Sequence, residues 1–232
     1  MQQLPLGVRL RERATFDVFV ASVADAEPVA RLRAVAQGGR GVVWLWGADG
    51  TGRSHLLQAV CAAAPAAVRA GYLPFVDLRS AGMPPAAALE GTGSLDLLCL
   101  DDLDLVIGER GVEVALFGVY RALEERSGGL VVSAASPPSS LRWALADIGS
   151  RFGASEVFQL HPLDDEGQSE ALRRRAAARG LDLPEETLRW LSRRFPRDMT
   201  SLGDLLDRLD EASLREQRRI TVPFVRSILG DP

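Results

Sequence analysis

Eight consecutive residues, Gly47-Ala48-Asp49-Gly50-Thr51-Gly52-Arg53-Ser54, constrain this chain more than any other feature. They run glycine, four residues, glycine, a basic residue, then a hydroxyl. A short apolar run, Val42-Val43-Trp44-Leu45-Trp46, leads into them, and an alanine- and leucine-rich stretch, Ser54 to Ala64, leads out and stops at Pro65. This order predicts a buried strand, a phosphate loop and a helix. The glycines let the backbone turn tightly and aim its N–H groups at phosphate oxygens. The helix start adds partial positive charge at the same point. Gly47, Gly50, Thr51, Gly52, Arg53 and Ser54 are therefore the candidate nucleotide-binding residues, with the Ser54 hydroxyl where a magnesium ligand belongs. Arg53 stands where lysine is usual. Its charge suits phosphate, but its larger planar fork cannot follow a moving phosphoryl group as a compact ammonium does. Phosphate binding is expected to survive this exchange and hydrolysis to suffer.

The second acidic feature lies downstream. Leu95 to Leu100 reads as a strand ending in Asp101-Asp102. A buried strand that delivers a carboxylate to its C-terminal edge is how phosphate-loop proteins hold magnesium, which makes Asp101 the candidate metal residue. Asp102 is the candidate for orienting an attacking water, with less reach than glutamate. Gly71 to Val76, Leu130 to Val132 and Val157 to Leu160 are further strand candidates, and residues 111 to 126 carry helical spacing through Val112, Leu116, Val119, Tyr120 and Leu123. After Pro162 strand-like runs stop. Leu188, Leu191 and Phe195 share one helical face, and Leu202, Leu205, Leu206 and Leu209 share another. Pro184-Glu185-Glu186 and Thr221-Val222-Pro223 are helix starts. Strands alternating with helices, then helices alone, predict a parallel α/β domain with a small helical lid. The expected division is an N-terminal arm at 1–20, the α/β domain at 21–161 and the lid at 162–232.

Composition narrows the function. A formal net charge of -4 argues against a global field for nucleic acid. The run Arg173, Arg174, Arg175, Arg179 reads as a solvated helix face. Cys61 and Cys99 sit in apolar runs and are expected to be buried, reduced packing residues. The N-terminus lacks a signal-peptide layout and no apolar run approaches a membrane span, so a cytoplasmic location is the default expectation.

Ser150-Arg151-Phe152 falls between the fourth and fifth strand candidates. An arginine there can project from the domain edge to a phosphate on a neighbouring subunit. With Thr15 to Phe19, Trp46 to Leu57, Arg197-Asp198-Met199, Leu209-Asp210 and Ile220 to Val225, these residues resemble the DnaA family of AAA+ proteins, nearest to its Hda-type regulators. The resemblance spans nearly the whole chain and ends where a DnaA-type DNA-binding domain would follow. It implies a phosphate-loop AAA+ fold with a parallel five-stranded sheet and a C-terminal helical lid, and a bound ADP (or ATP) with magnesium. His55 and Arg197 join the nucleotide-binding set on this ground. Arg151 becomes an arginine finger acting in trans on DnaA. Gln3, Leu4 and Leu6 resemble a motif that binds the DNA polymerase III sliding clamp, its beta subunit.

Two departures bear on activity. The sensor position that is acidic in relatives falls on Ala135, and the nucleotide-sensing arginine of the lid falls on Thr200, with Arg197 one turn earlier. Both remove polar groups that would read a γ-phosphate. The implied function is regulation of replication initiation: with the sliding clamp, the chain stimulates hydrolysis of DnaA-bound ATP while having no efficient ATPase of its own. An autonomous weak ATPase that loads or remodels a replication protein is the alternative. Sequence-specific DNA binding and a membrane role are not expected, and pairing of two copies as a homodimer stays open.

Overall fold

The computed structural model describes residues 14–194, 199–216 and 220–229. The chain divides into two compact units. One comprises residues 1–16 and 24–161, the other residues 17–23 and 162–232.

The first unit is built on five parallel strands, β1 (Gly41–Trp46), β2 (Ala70–Pro74), β3 (Leu97–Asp101), β4 (Gly129–Ala134) and β5 (Glu156–Gln159), in the order β2-β3-β4-β1-β5. Their sequences explain the order of burial. β3 and β4 are buried at every residue, as their unbroken apolar runs require of central parallel strands. β5 is a mostly exposed edge. Helices α1 (Ala26–Ala36), α2 (Arg53–Ala63), α3 (Phe75–Ser80), α4 (Pro85–Glu90), α5 (Arg110–Glu125) and α6 (Ala146–Gly153) make up the rest of the unit. In α5 the predicted stripe is buried at Val112, Leu116, Val119 and Leu123 and half-buried at Tyr120. The core gathers around Trp44, Phe75, Leu100, Leu116, Val132 and Phe152.

Local differences from the sequence reading have local causes. The strand expected over Gly71 to Val76 stops at Pro74, and Phe75 opens α3 instead. Proline has no N–H for the ladder, and here it takes the extended cap position of the helix. α2 stops at Ala63 because Ala64 precedes Pro65 and is pushed out of the helical region, to ψ 131°. Residues 14–16, read as arm, are packed: Ala14 and Phe16 are buried, and the Arg33 guanidinium lies 4.6 Å from the Phe16 ring centre. Both cysteines are free thiols, but only Cys99 is buried. Cys61 is half-buried, with its Sγ 3.5 Å from the Gly71 carbonyl. Burial pushes the Cys99 thiol up, which keeps it inert.

The second unit contains α7 (Asp165–Ala177), α8 (Glu185–Arg194), α9 (Met199–Glu216) and α10 (Val222–Leu229). Asp164 caps α7 by accepting the Gly167 N–H at 2.7 Å. Leu172, Leu188, Leu191, Leu206, Leu209 and Val225 form its core, and Val20 packs against them. Phe195 lies outside the described residues. Three arginines of the run are in ion pairs: Arg173 and Arg174 with Glu170, at 2.7 and 2.8 Å, and Arg179 with Asp207 at 2.7 Å. No helix among the described residues is long and apolar enough to cross a membrane.

Candidate functional site

All five strands are parallel, so their C-terminal ends share one edge of the sheet. Trp46 is level with Ala134, and Leu100 with Val132. The glycine loop after β1 and the acids ending β3 therefore meet on either side of β4. Gly50 and Gly52 hold φ of 82° and 93°, the left-handed region in which a side chain is strained. Gly47 meets a different limit: a Cβ there would lie 2.6 Å from the Leu160 carbonyl oxygen. Thr51 is buried and its hydroxyl donates to the Ala48 carbonyl at 2.8 Å. Ser54 lies in the first turn of α2, beside the unpaired N–H groups of a helix start. One ring nitrogen of His55 lies 2.8 Å from the Thr15 carbonyl oxygen.

Arg53 is buried and folds back over its own loop. Its guanidinium donates to the Gly47 carbonyl, to Asp49 at 3.1 Å and to Asp102 at 3.2 Å. Asp49 is almost wholly exposed, so that contact holds little energy. The Asp102 pair is better sheltered. Even so, burial and then the neighbouring Asp101 charge raise the Asp102 carboxyl to about 6. Asp102 also has a left-handed backbone, φ 55°, and its N–H donates to Ser133 Oγ at 2.9 Å.

Asp101 is 2% exposed. One carboxylate oxygen accepts the Ser133 hydroxyl, and the other accepts the Tyr72 hydroxyl at 2.5 Å. Burial, then Asp101, pushes the Tyr72 hydroxyl far up, so it remains a donor. Magnesium requires open oxygen ligands in a near-octahedral set. The Asp101 oxygens are turned inward and shielded, so the residues as arranged do not fit a resident magnesium. No group of three or more His, Cys, Asp or Glu among the described residues suits a metal ion. Ala135 contributes only its backbone N–H, which donates to Asp104 Oδ2 at 3.3 Å, and Asp104 Oδ1 is buried with no hydrogen-bond partner among the described residues.

Arg151 is not part of this cluster. α6 carries it back to the N-terminal edge of the sheet, where it lines a cavity of about 440 Å³ with Arg40, Gly41, Gly128 and Glu156. These are residues at or next to the starts of β1, β4 and β5. Gln3, Leu4, Leu6 and Arg197 lie outside the described residues, and Thr200 falls in the first turn of α9.

Tyr72, Ser133 and Glu113 were not foreseen. Glu113 is fully buried and accepts the N–H groups of Gly108, Ala144 and Leu145 at 2.8, 3.0 and 2.6 Å. Ser133 did leave a signal, since a hydroxyl in the wholly apolar run Leu130 to Ala134 needs a buried partner. Tyr72 left none, because its partner Asp101 is 29 positions away, and Glu113 left none, because two of its three partners lie more than 30 positions away.

Comparison with solved structures defines the class. The fold is similar to domain III of the replication initiation protein DnaA from Thermotoga maritima (TM-score 0.76, 22% identity, 93% of this chain and 95% of that one). It is also similar to AMPPCP-bound DnaA from Aquifex aeolicus (TM-score 0.67, 18% identity, 90% and 69%). The Thermotoga maritima RuvB Holliday junction branch migration motor is more distant (TM-score 0.60, 16% identity, 95% and 72%). The chain thus has the fold of AAA+ modules, a parallel five-stranded sheet followed by a helical lid. Residues 165–229 match the family model described as the lid domain of Hda. The chain is thus similar to DnaA in fold, and its residues 165–229 are similar to the Hda lid domain.

Proposed function

We propose that this chain regulates replication initiation by completing the ATP-hydrolysing site of a DnaA partner. In this reading it holds an adenine nucleotide in its own loop without efficient turnover. Arg151 supplies charge in trans to the partner's γ-phosphate as it is cleaved. Gln3, Leu4 and Leu6 tether the chain to the sliding clamp. Two relatives of the same fold are DnaA proteins bound to AMPPCP, which supports an adenine nucleotide at the Gly47–Ser54 loop.

One observation carries the trans reading. Arg151 and the phosphate loop stand at opposite ends of β1. That six-residue strand spans roughly 20 Å. The distance exceeds an arginine side chain, so Arg151 cannot serve the phosphates of its own loop. Its own loop meanwhile offers poor chemistry: Arg53 is spent on Gly47, Asp49 and Asp102, and Asp101 on Ser133 and Tyr72.

The test is DnaA ATP hydrolysis in the presence of DNA-loaded clamp. Arg151→Ala should lower stimulation by about a thousandfold, the scale of other trans arginines. Undiminished stimulation by the variant would remove the assignment. The alternative, an autonomous ATPase, draws on Asp102, whose carboxyl near 6 suits a general base. It requires steady-state hydrolysis by the chain alone that disappears in Asp102→Asn.

A further inference from the structure

The Arg151 guanidinium is not waiting free at the domain edge. Its Nη1 lies 3.4 Å from Glu124 Oε2, on the last turn of α5. Its Nε lies 3.8 Å from Asp147 on its own helix and makes no hydrogen bond among the described residues. The group also stands 5.4 Å from the ring centres of both Phe117 and Tyr120, at cation–π range. Three groups on α5 and Asp147 on α6 thus surround the arginine, and they differ in what they hold. The two rings stand at cation–π distance from its central carbon. Asp147 travels with α6 and faces the stem side of the fork. Of the two carboxylates, Glu124 comes from another helix and engages an outer nitrogen, the edge with which arginine grips a phosphate bidentately.

We propose that Glu124 is an internal competitor for Arg151, a carboxylate that occupies the outer edge of the finger until a partner's phosphate displaces it. The inference rests on the reading of Arg151 as a trans-acting finger. Its physics is a contest between two anions for one cation. Glu124 offers a single charge through one long contact, and both side chains are partly exposed, 31% for Arg151 and 53% for Glu124. Such a pair is weak and readily exchanged. A γ-phosphate offers more charge and a geometry matched to the fork. The cavity beside the pair, with Arg40 on another wall, leaves room for the exchange and adds a second positive group. Glu124 therefore sets a threshold: the finger leaves α5 for a triphosphate but returns when the γ-phosphate is gone. Glu124 is a positioning residue and contacts no substrate.

Two readouts on the full-length chain test this. The first is DnaA hydrolysis with loaded clamp, titrated with wild type, Glu124→Gln and Arg151→Ala. The second is the side-chain Nε–H resonance of Arg151 in the chain alone, which reports rotation of the guanidinium. Glu124→Gln should lower the half-stimulating concentration about threefold, in keeping with a partly exposed ion pair, with little change in the maximal rate. It should also speed rotation of the Arg151 guanidinium. An unchanged or raised half-stimulating concentration overturns the proposal, whether or not the resonance changes. So does a lowered concentration with an unchanged resonance. If Arg151→Ala stimulates like wild type, the finger reading itself falls. If Arg151→Ala is inactive and Glu124→Gln is indistinguishable from wild type, only the role of Glu124 falls.

Discussion

Arg53 turns its charge inward, where two oxygens of its own loop and one of Asp102 take it. Each is an oxygen that a phosphate would have to outbid, which is one physical ground for the slow chemistry proposed at this site. The same cluster makes Asp102 costly. Its folded value of about 6 lies above the 3.8 of the free side chain, so the unfolded chain gives up this proton first. The penalty is absent below pH 4, grows as pH rises toward 6, and is fully present above it. A difference of this size corresponds to about 2–3 kcal/mol at the upper end. Asp102→Asn keeps an oxygen for Arg53 and removes the charge. Urea unfolding monitored between pH 4 and 8 should therefore show the variant more stable than wild type at pH 7.5 and flatter across pH 4–6. Equal pH profiles would show that the carboxylate is not strained.

Helix α6 shows how an element is aimed. It is short, and nothing in its eight residues would hold it alone. Phe152 fixes one side, stacked on Trp143 at 5.5 Å and edge-on to Trp44 at 5.3 Å. Gly149 lets Trp143 close in, since a Cβ there would come within 2.6 Å of the indole ring. Glu113 pins the start, because Leu145, the residue before the helix, donates its N–H to that carboxylate at 2.6 Å. Glu113→Ala would take the carboxylate acceptor from three partly buried N–H groups and should cost about 3 kcal/mol. Its unfolding midpoint should fall accordingly, and stimulation of DnaA should fall with it although Glu113 touches no nucleotide. A variant that unfolds early but stimulates normally once folded would show that α6 is held by the aromatic cluster alone.

Across the whole molecule, parallel strands separate the two proposed functions. Every C-terminal strand end lies on the edge with the phosphate loop, and α6 returns Arg151 to the other. The two edges should therefore fail independently. Gly47→Ala, which drives a methyl into the Leu160 carbonyl, should weaken ADP binding in titration calorimetry. Arg151→Ala should leave that affinity unchanged while abolishing stimulation. Loss of ADP binding in Arg151→Ala would place the arginine in its own site and reverse the trans reading.

The sequence by itself determined the strand-loop-helix at Val42 to Ala63, the acids at the end of β3, the buried stripe of α5 and the change to helices after Pro162. Each is written in neighbouring residues, as periodicity, glycine freedom or a proline stop, so no distant partner is needed to read it. Only the tertiary structure decided what those residues do with their charges. Arg53 meets Asp102 across 49 positions, Asp101 meets Tyr72 across 29, and Arg151 meets Glu124 across 27. These meetings follow from strand order and helix packing, which no local pattern encodes. A side chain's local type states which charge it carries, and only the fold states which opposite charge lies within reach.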